Sequence, residues 1–255
     1  MTPVGPTRII AHRGNSSEAP ENTFAAFDGA IAHGVTLLEC DVQLTADDAV
    51  VVIHDVDLAR TSGQGGDVRD LSLAEVQGAD VSYPSRFGAA FSPQRVPTLE
   101  ELLRHLRGRA QILVEVKRES SDPERERFEA AIANAVERSG ARVTGGMDSD
   151  LGFISFDTRA LERLRRLVPL APRGHLFYRE SEELMFRAAS NVDAHFVMPE
   201  KMLVNEDFVR RARLRGFEAA TWVCDDVDEM RKLCAMGLLG VGTNRPAALA
   251  AFVAV

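Results

Sequence analysis

At 255 residues, with 45% hydrophobic and 27% charged side chains, the chain has the usual length of one (β/α)8 barrel and enough apolar content for a sizeable core. A net charge of −8 argues against a nucleic-acid partner, which would call for a basic surface patch. Three cysteines, Cys40, Cys224 and Cys234, with no C-x-x-C spacing, support neither a zinc site nor a disulfide framework and fit reduced thiols in a cytoplasmic protein.

The opening Met-Thr-Pro-Val-Gly-Pro has no charged or apolar region of the kind a signal peptide carries. A first strand over 9–11 runs into His12, Arg13 and Gly14. A helix over 22–33 follows, with Phe24, Phe27, Ala30 and Ile31 on one stripe; Gly34 stops it, and Asn22 is placed to cap its start. A second strand covers 35–44. The turn Thr45-Ala-Asp-Asp and the β-branched run 50–53 extend it as a hairpin leading to His54.

Between residues 57 and 97 the periodicity is lost, and glycines and prolines punctuate the chain. Only 72–77 has the pattern of a short helix. This stretch reads as a small insertion over a barrel mouth, since it lacks a clear apolar set for a second domain. Regular alternation then resumes. A capping signature, Thr98 with Glu101, opens a helix to 106. Strands are expected at 111–116, 153–156, 173–177, 194–198, 218–223 and 240–243. Helices are expected at 123–139, 157–167, 181–190, 205–215 and 226–236, and the apolar tail 247–255 closes the core. That tail is too short to span a bilayer, which takes about 20 residues. Eight strand–helix alternations in one 255-residue domain point to an α/β fold of the (β/α)8 TIM-barrel kind, with a small insertion after the second strand. An open doubly wound sheet would carry a glycine-rich phosphate turn after its first strand, and His12-Arg-Gly-Asn is not one.

In such a barrel the chemistry sits at the C-terminal ends of the strands, and the capable residues fall there repeatedly. Glu39 and Asp41 lie two apart on a strand, hence on one face and about 6.7 Å apart along the chain. Cys40 between them faces the helices. With Glu115 at the next strand end, three carboxylates without cysteine suit a hard divalent cation, Mg²⁺ or Ca²⁺. A single such carboxylate would instead pair with Arg13 or Lys117. His12 and His54 end strands beside the cluster and form an acid/base pair. Arg13 and Lys117 are either phosphate-oxygen ligands or salt-bridge partners. Trp222 and Phe156 are either core residues or an apolar wall beside a ligand. Glu21 and Asn22 either begin a helix or orient the site. His33, His105 and His195 read as structural, and His175 stays open between the two classes.

These residues together resemble the glycerophosphodiester phosphodiesterases. The similarity runs through His12-Arg-Gly, Pro20-Glu-Asn-Thr, Glu39-Cys-Asp-Val-Gln-Leu-Thr, Val52-Ile-His-Asp, Val96-Pro-Thr-Leu-Glu-Glu-Leu, Glu115-Val-Lys and Thr243-Asn-Arg-Pro, in order over nearly the whole chain. It implies hydrolysis of a small-molecule glycerophosphodiester to sn-glycerol 3-phosphate and an alcohol. By the same resemblance, Glu39, Asp41 and Glu115 hold the metal and His12 and His54 move protons. Arg13 and Lys117 bind phosphate, and Glu21 and Asn22 support them. Asp48 stands where the family often has glycine, and Val-Cys-Asp follows Trp222 where Thr-Val-Asn is more usual. Related barrels act on lysophospholipids, for which Tyr83, Phe87 and Phe91 of the insertion could supply an acyl groove. A phosphate-ester binding protein without turnover is the alternative outside enzymes.

Overall fold

The computed structural model describes residues 6–118, 121–179 and 181–253. The opening segment read for a signal peptide lies, apart from Pro6, outside the described residues, as do the last two of the tail. Eight parallel strands close on themselves: β1 (Arg8–His12), β2 (Leu37–Leu44), β4 (Gln111–Val116), β5 (Leu151–Ser155), β6 (Arg173–Phe177), β7 (Phe196–Pro199), β8 (Glu218–Thr221) and β9 (Gly240–Thr243). Pairing of β1 with both β2 and β9 completes the (β/α)8 barrel. The hairpin extension is β3 (Val50–Val52), antiparallel to the end of β2. Asp48, in the turn between them, has φ 65°, a left-handed conformation that explains why glycine suits this position.

Helices α1 (Phe24–Ala32), α5 (Leu99–Leu106), α6 (Asp122–Ser139), α7 (Thr158–Leu167), α8 (Glu182–Asn191), α9 (Glu206–Leu214), α10 (Val227–Ala235) and α11 (Pro246–Val253) follow the barrel strands. Caps fix their starts. Thr98 and Glu101 form the reciprocal capping box expected from their spacing. The cap of α1, however, is Thr23, whose hydroxyl accepts from the Ala26 amide; Asn22 is used elsewhere. No helix among the described residues is long and apolar enough to cross a membrane.

Period-two alternation splits the apolar residues into two layers. Ile9, Ala11, Leu38, Cys40, Val42, Ile112, Val114 and Val116 face outward into the layer shared with the helices. Ile10, Leu37, Leu113, Ile154, Leu176, Phe196, Met198 and Ala220 face inward and plug the barrel. Each inward row, continued two residues further along its strand, reaches the mouth.

The insertion departs from expectation. It carries the short helices α2 (Ala59–Ser62), α3 (Leu73–Gly78) and α4 (Pro84–Phe87), and it does have an apolar cluster. Leu58, Val68, Val76, Ala79, Val81 and Val96 pack on Val51 and Ile53 of the hairpin. These residues are scattered in sequence, without helical or strand period, so the cluster exists only once the hairpin gathers them.

Glu129 of α6 is fully buried, and neither carboxylate oxygen has a hydrogen-bond partner. Arg163 approaches it with Nε at 3.4 Å and is shared with Glu126. Burial pushes its pKa up to about 8, which Arg163 and Arg125 only partly offset. A raised carboxyl pKa favours the folded state fully below the ordinary carboxylate range, and that contribution is lost as pH rises through about 8. Glu129→Gln is therefore expected to stabilise the protein at pH 8 by about 1–2 kcal/mol, with the gain shrinking toward pH 5. Denaturant midpoints at the two pH values check this, and an equal gain at both rejects it.

Candidate active site

The inward rows end in chemistry. On β1, Ile10 is followed by His12; on β2, Leu37 is followed by Glu39 and Asp41; on β4, Leu113 is followed by Glu115, with Lys117 one step past the strand. Register sets His12 beside Glu39 and Asp41 beside Glu115. One oxygen from each of Glu39, Asp41 and Glu115 lies within 4.8 Å of the others. Cys40 is buried on the opposite face, where burial raises its thiol pKa well above the usual value.

Three carboxylates this close repel, and the surrounding cations decide which ionises. Lys117 Nζ lies 2.5 Å from Asp41 Oδ1 and 2.6 Å from Glu115 Oε1. Arg13 Nε lies 3.0 Å from Asp41 Oδ2, and the Asn22 amide donates to the same oxygen at 3.0 Å. Burial pushes Asp41 upward, but Lys117 and Arg13 outweigh it and its pKa falls below the carboxylate range. Glu39 and Glu115 are pushed up by burial first and by Asp41 second. The cluster is thus short of positive charge. Glu39 Oε1 is buried with no hydrogen-bond partner, and the donors are all oxygen. A hard divalent cation fits this set.

Local backbone brings Arg13 and Asn22 into place at some cost. Both have φ 58°, in the left-handed region. The Arg13 amide donates to Glu39 Oε2 at 3.0 Å, and the Asn22 amide donates to the Arg13 carbonyl at 3.1 Å. Gly14, at φ 81°, passes so near α1 that a Cβ there would lie 2.6 Å from the Ala26 carbonyl carbon. Glu21 accepts from Arg13 Nη1 at 3.0 Å. Asn22 and Glu21 are therefore ligands of the charged residues, and the capping reading of Asn22 is replaced by this one.

Each imidazole is held at Nδ1. His12 Nδ1 is 2.8 Å from Asn244 Oδ1. The Asn244 amide nitrogen donates to Asp225 at 2.8 Å, and so does its backbone N–H. With its NH₂ committed, Asn244 presents oxygen, so His12 carries its proton on Nδ1 and leaves Nε2 bare, 3.9 Å from Glu39. His54 Nδ1 is 2.6 Å from Asp55 Oδ1, and its Nε2 is left for other work. Burial lowers the pKa of both histidines, and Asp41 feels the charge of both. Asn244, Asp225 and Asp55 had no role assigned from sequence. The available signal for Asn244 was parity, since it lies one inward step past Gly242.

Trp222 and Phe156 lie at the mouth. The Phe156 ring is 5.6 Å from Trp222 and 5.8 Å from Tyr178, edge-on to each, and Phe156 is 40% exposed. That excludes the core reading for Phe156. Trp222 donates its indole N–H to the Met198 carbonyl, which fixes the ring's orientation, and it packs on the inner apolar cluster. On the other side of the mouth, a cavity of about 680 Å³ is lined by His54, Asp55, Arg60, Lys117 and Arg118. His33 is exposed and His105 pairs with Asp28. His195 accepts from the Arg173 amide, and His175 is buried in the barrel wall.

Residues 12–248 match the model of the Glycerophosphoryl diester phosphodiesterase family. The protein YhdW of Bacillus subtilis strain 168 is 32% identical over 243 residues, covering 93% of this chain and 94% of that protein. The glycerophosphodiester phosphodiesterase of Caldanaerobacter subterraneus subsp. tengcongensis is 29% identical, covering 95% and 96%. Among solved structures, a phosphodiesterase of Oleispira antarctica in complex with the product sn-glycerol-3-phosphate superposes with a TM-score of 0.87 at 25% identity, covering 98% of each chain. The Agrobacterium tumefaciens glycerophosphodiester phosphodiesterase superposes with a TM-score of 0.80 at 28% identity, covering 96% and 99%. With the carboxylate cluster and paired histidines at the mouth of a matching barrel, the chain belongs to the glycerophosphoryl diester phosphodiesterase family.

Proposed function

We propose that this chain hydrolyses glycerophosphodiesters to sn-glycerol 3-phosphate and an alcohol. The observation that carries the reading is the joint placement of Glu39, Asp41 and Glu115 with two imidazoles, each held at Nδ1 by a different kind of acceptor. The product named for the Oleispira relative supports the substrate class.

The acceptors suggest the division of labour. His12 faces a neutral amide, so its bare Nε2 is suited to take the proton of the attacking group, which is either water or the glycerol 2-hydroxyl, the latter giving a cyclic phosphate that water then opens. His54 faces a carboxylate, which stabilises the imidazolium, so its Nε2 proton is suited to go to the departing alkoxide. Arg13 and Lys117 take the non-bridging phosphoryl oxygens, where charge develops. Glu21 steadies Arg13, and Asn22 steadies Asp41. Glu39, Asp41 and Glu115 would hold Mg²⁺ or Ca²⁺, whose Lewis acidity, when bound, draws charge from a phosphoryl oxygen. Trp222 and Phe156 form an apolar wall beside the substrate. The cavity beside His54 receives the alcohol.

Release of sn-glycerol 3-phosphate from glycerophosphocholine tests this. Activity is expected, lost on chelation and restored by Mg²⁺ or Ca²⁺. Binding of the diester without release would favour the non-catalytic reading. Tyr83, Phe87 and Phe91 pack edge-on against one another, at 6.2 and 5.4 Å, and so present no obvious acyl groove. Lysophosphatidylcholine is accordingly expected to be the poorer substrate; a higher kcat/KM for it would reverse the assignment.

A further inference from the structure

Arg60 belongs to the insertion, yet each of its three guanidinium nitrogens bonds a carboxylate at the barrel mouth. Nη1 and Nη2 each lie 2.8 Å from an oxygen of Glu21, and Nε lies 2.5 Å from Asp55 Oδ2. Glu21 is the carboxylate that holds Arg13, and Asp55 is the one that holds His54. One side chain thus joins two lines of contact, to the phosphate-facing arginine and to the histidine beside the leaving group. The Tyr83 ring stands 5.5 Å from the guanidinium carbon. Tyr83 has φ 55° and ψ 58°, a left-handed conformation that is unfavourable for an aromatic residue. Its amide donates to the Thr61 carbonyl at 2.9 Å, so the strained turn is tied to the helix that carries Arg60. The insertion accepts that strain and places a ring against this one cation.

We infer that Arg60 is a positioning residue through which the insertion orients His54, by way of Asp55, and Arg13, by way of Glu21. A forked cation between two carboxylates suits this task because its planar donors fix both Glu21 oxygens and one Asp55 oxygen at once. Held from behind, Asp55 keeps one oxygen on His54 Nδ1 and so keeps the opposite nitrogen aimed at the leaving oxygen. Without Arg60, Glu21 would keep only Arg13 and Asp55 only His54, and the His54 ring would lose the cation that fixes its carboxylate.

The inference rests on His54 acting as the acid, and the test separates the two claims. Kinetics are compared for a glycerophosphodiester with an alcohol leaving group, glycerophosphocholine, and for one with nitrophenol, which departs without needing a proton. Arg60→Ala is expected to lower kcat on glycerophosphocholine about 10–100-fold, with a smaller loss on the nitrophenyl ester. Arg60→Lys, able to reach one carboxylate but not to fork across both, should fall between and guards against a folding defect. In an Asp55→Asn background the Arg60→Ala loss on glycerophosphocholine should shrink to the part carried through Glu21 to Arg13, because only the route to His54 runs in series with Asp55. Arg86→Ala, an insertion arginine that instead donates to the Ser17 carbonyl, should keep native kcat on both. If His54→Ala is hit equally on both esters, the acid assignment fails. If His54→Ala discriminates but Arg60→Ala does not, or if its effect adds fully to Asp55→Asn, the role given to Arg60 is wrong.

Discussion

Asp41→Asn is expected to lower kcat/KM for glycerophosphocholine by about 10³-fold or more while the barrel stays folded. Asp41 is fully buried and is the point on which Lys117, Arg13 and Asn22 converge. Among the three clustered carboxylates, it is the one whose pKa is held below the usual range, so it supplies the permanent negative charge. An amide of the same shape keeps the packing but removes that charge, leaving Lys117 and Arg13 facing a cluster that attracts a cation far less. The measurement is twofold: release of sn-glycerol 3-phosphate, and calorimetric binding of Mg²⁺ and Ca²⁺. Both should be weakened together. A variant within tenfold of native turnover would remove Asp41 from the site's essential charges, and unchanged cation affinity would remove it from the metal ligands.

The barrel was legible because each of its signals is local. Val114 and Val116 alternate with Leu113 and Glu115 at period two, and α5 announces itself by Thr98 and Glu101 before any tertiary contact is known. Strand and helix ends moved by no more than two residues, as capping details decide them. The first helix shows why. Asn22 and Thr23 are both good caps by type, and only the fold reveals that Asn22 is drawn off to Asp41. The insertion's apolar cluster was missed for a different reason. Leu58, Val68, Val76, Val81 and Val96 are separated by turns and small residues, so no window contains enough of them to suggest a core.

The site divides in the same manner. Residues on strands were readable from parity, and this is why Glu39, Asp41 and Glu115 could be grouped from sequence and are found within 4.8 Å. The groups that aim the histidines were not, because their effect depends on what lies behind them. Asn244 could be reached by counting from Gly242, but its amide orientation depends on Asp225, nineteen positions earlier in the chain. Arg60 gave no signal at all, since an exposed-looking arginine in an aperiodic stretch is ordinarily a solvated charge.

Removing either imidazole should cost about 10²–10⁴-fold in kcat, but the two losses should respond differently to the leaving group. His12→Ala deletes the bare Nε2 that the Asn244 oxygen secures, and a poor nucleophile stays poor whatever departs. Its deficit should be similar on glycerophosphocholine and on the nitrophenyl ester. His54→Ala deletes the proton that Asp55 helps the ring to carry, which matters for an alkoxide and little for nitrophenolate. Its deficit should shrink by at least about tenfold on the activated ester, within the range that one acid–base role is worth. Circular dichroism and thermal midpoints control for folding, since both rings sit at the mouth and neither belongs to the apolar plug. Were His12→Ala the leaving-group-sensitive variant, the roles would be exchanged, and the charged and neutral acceptors behind the two rings would not be what separates acid from base.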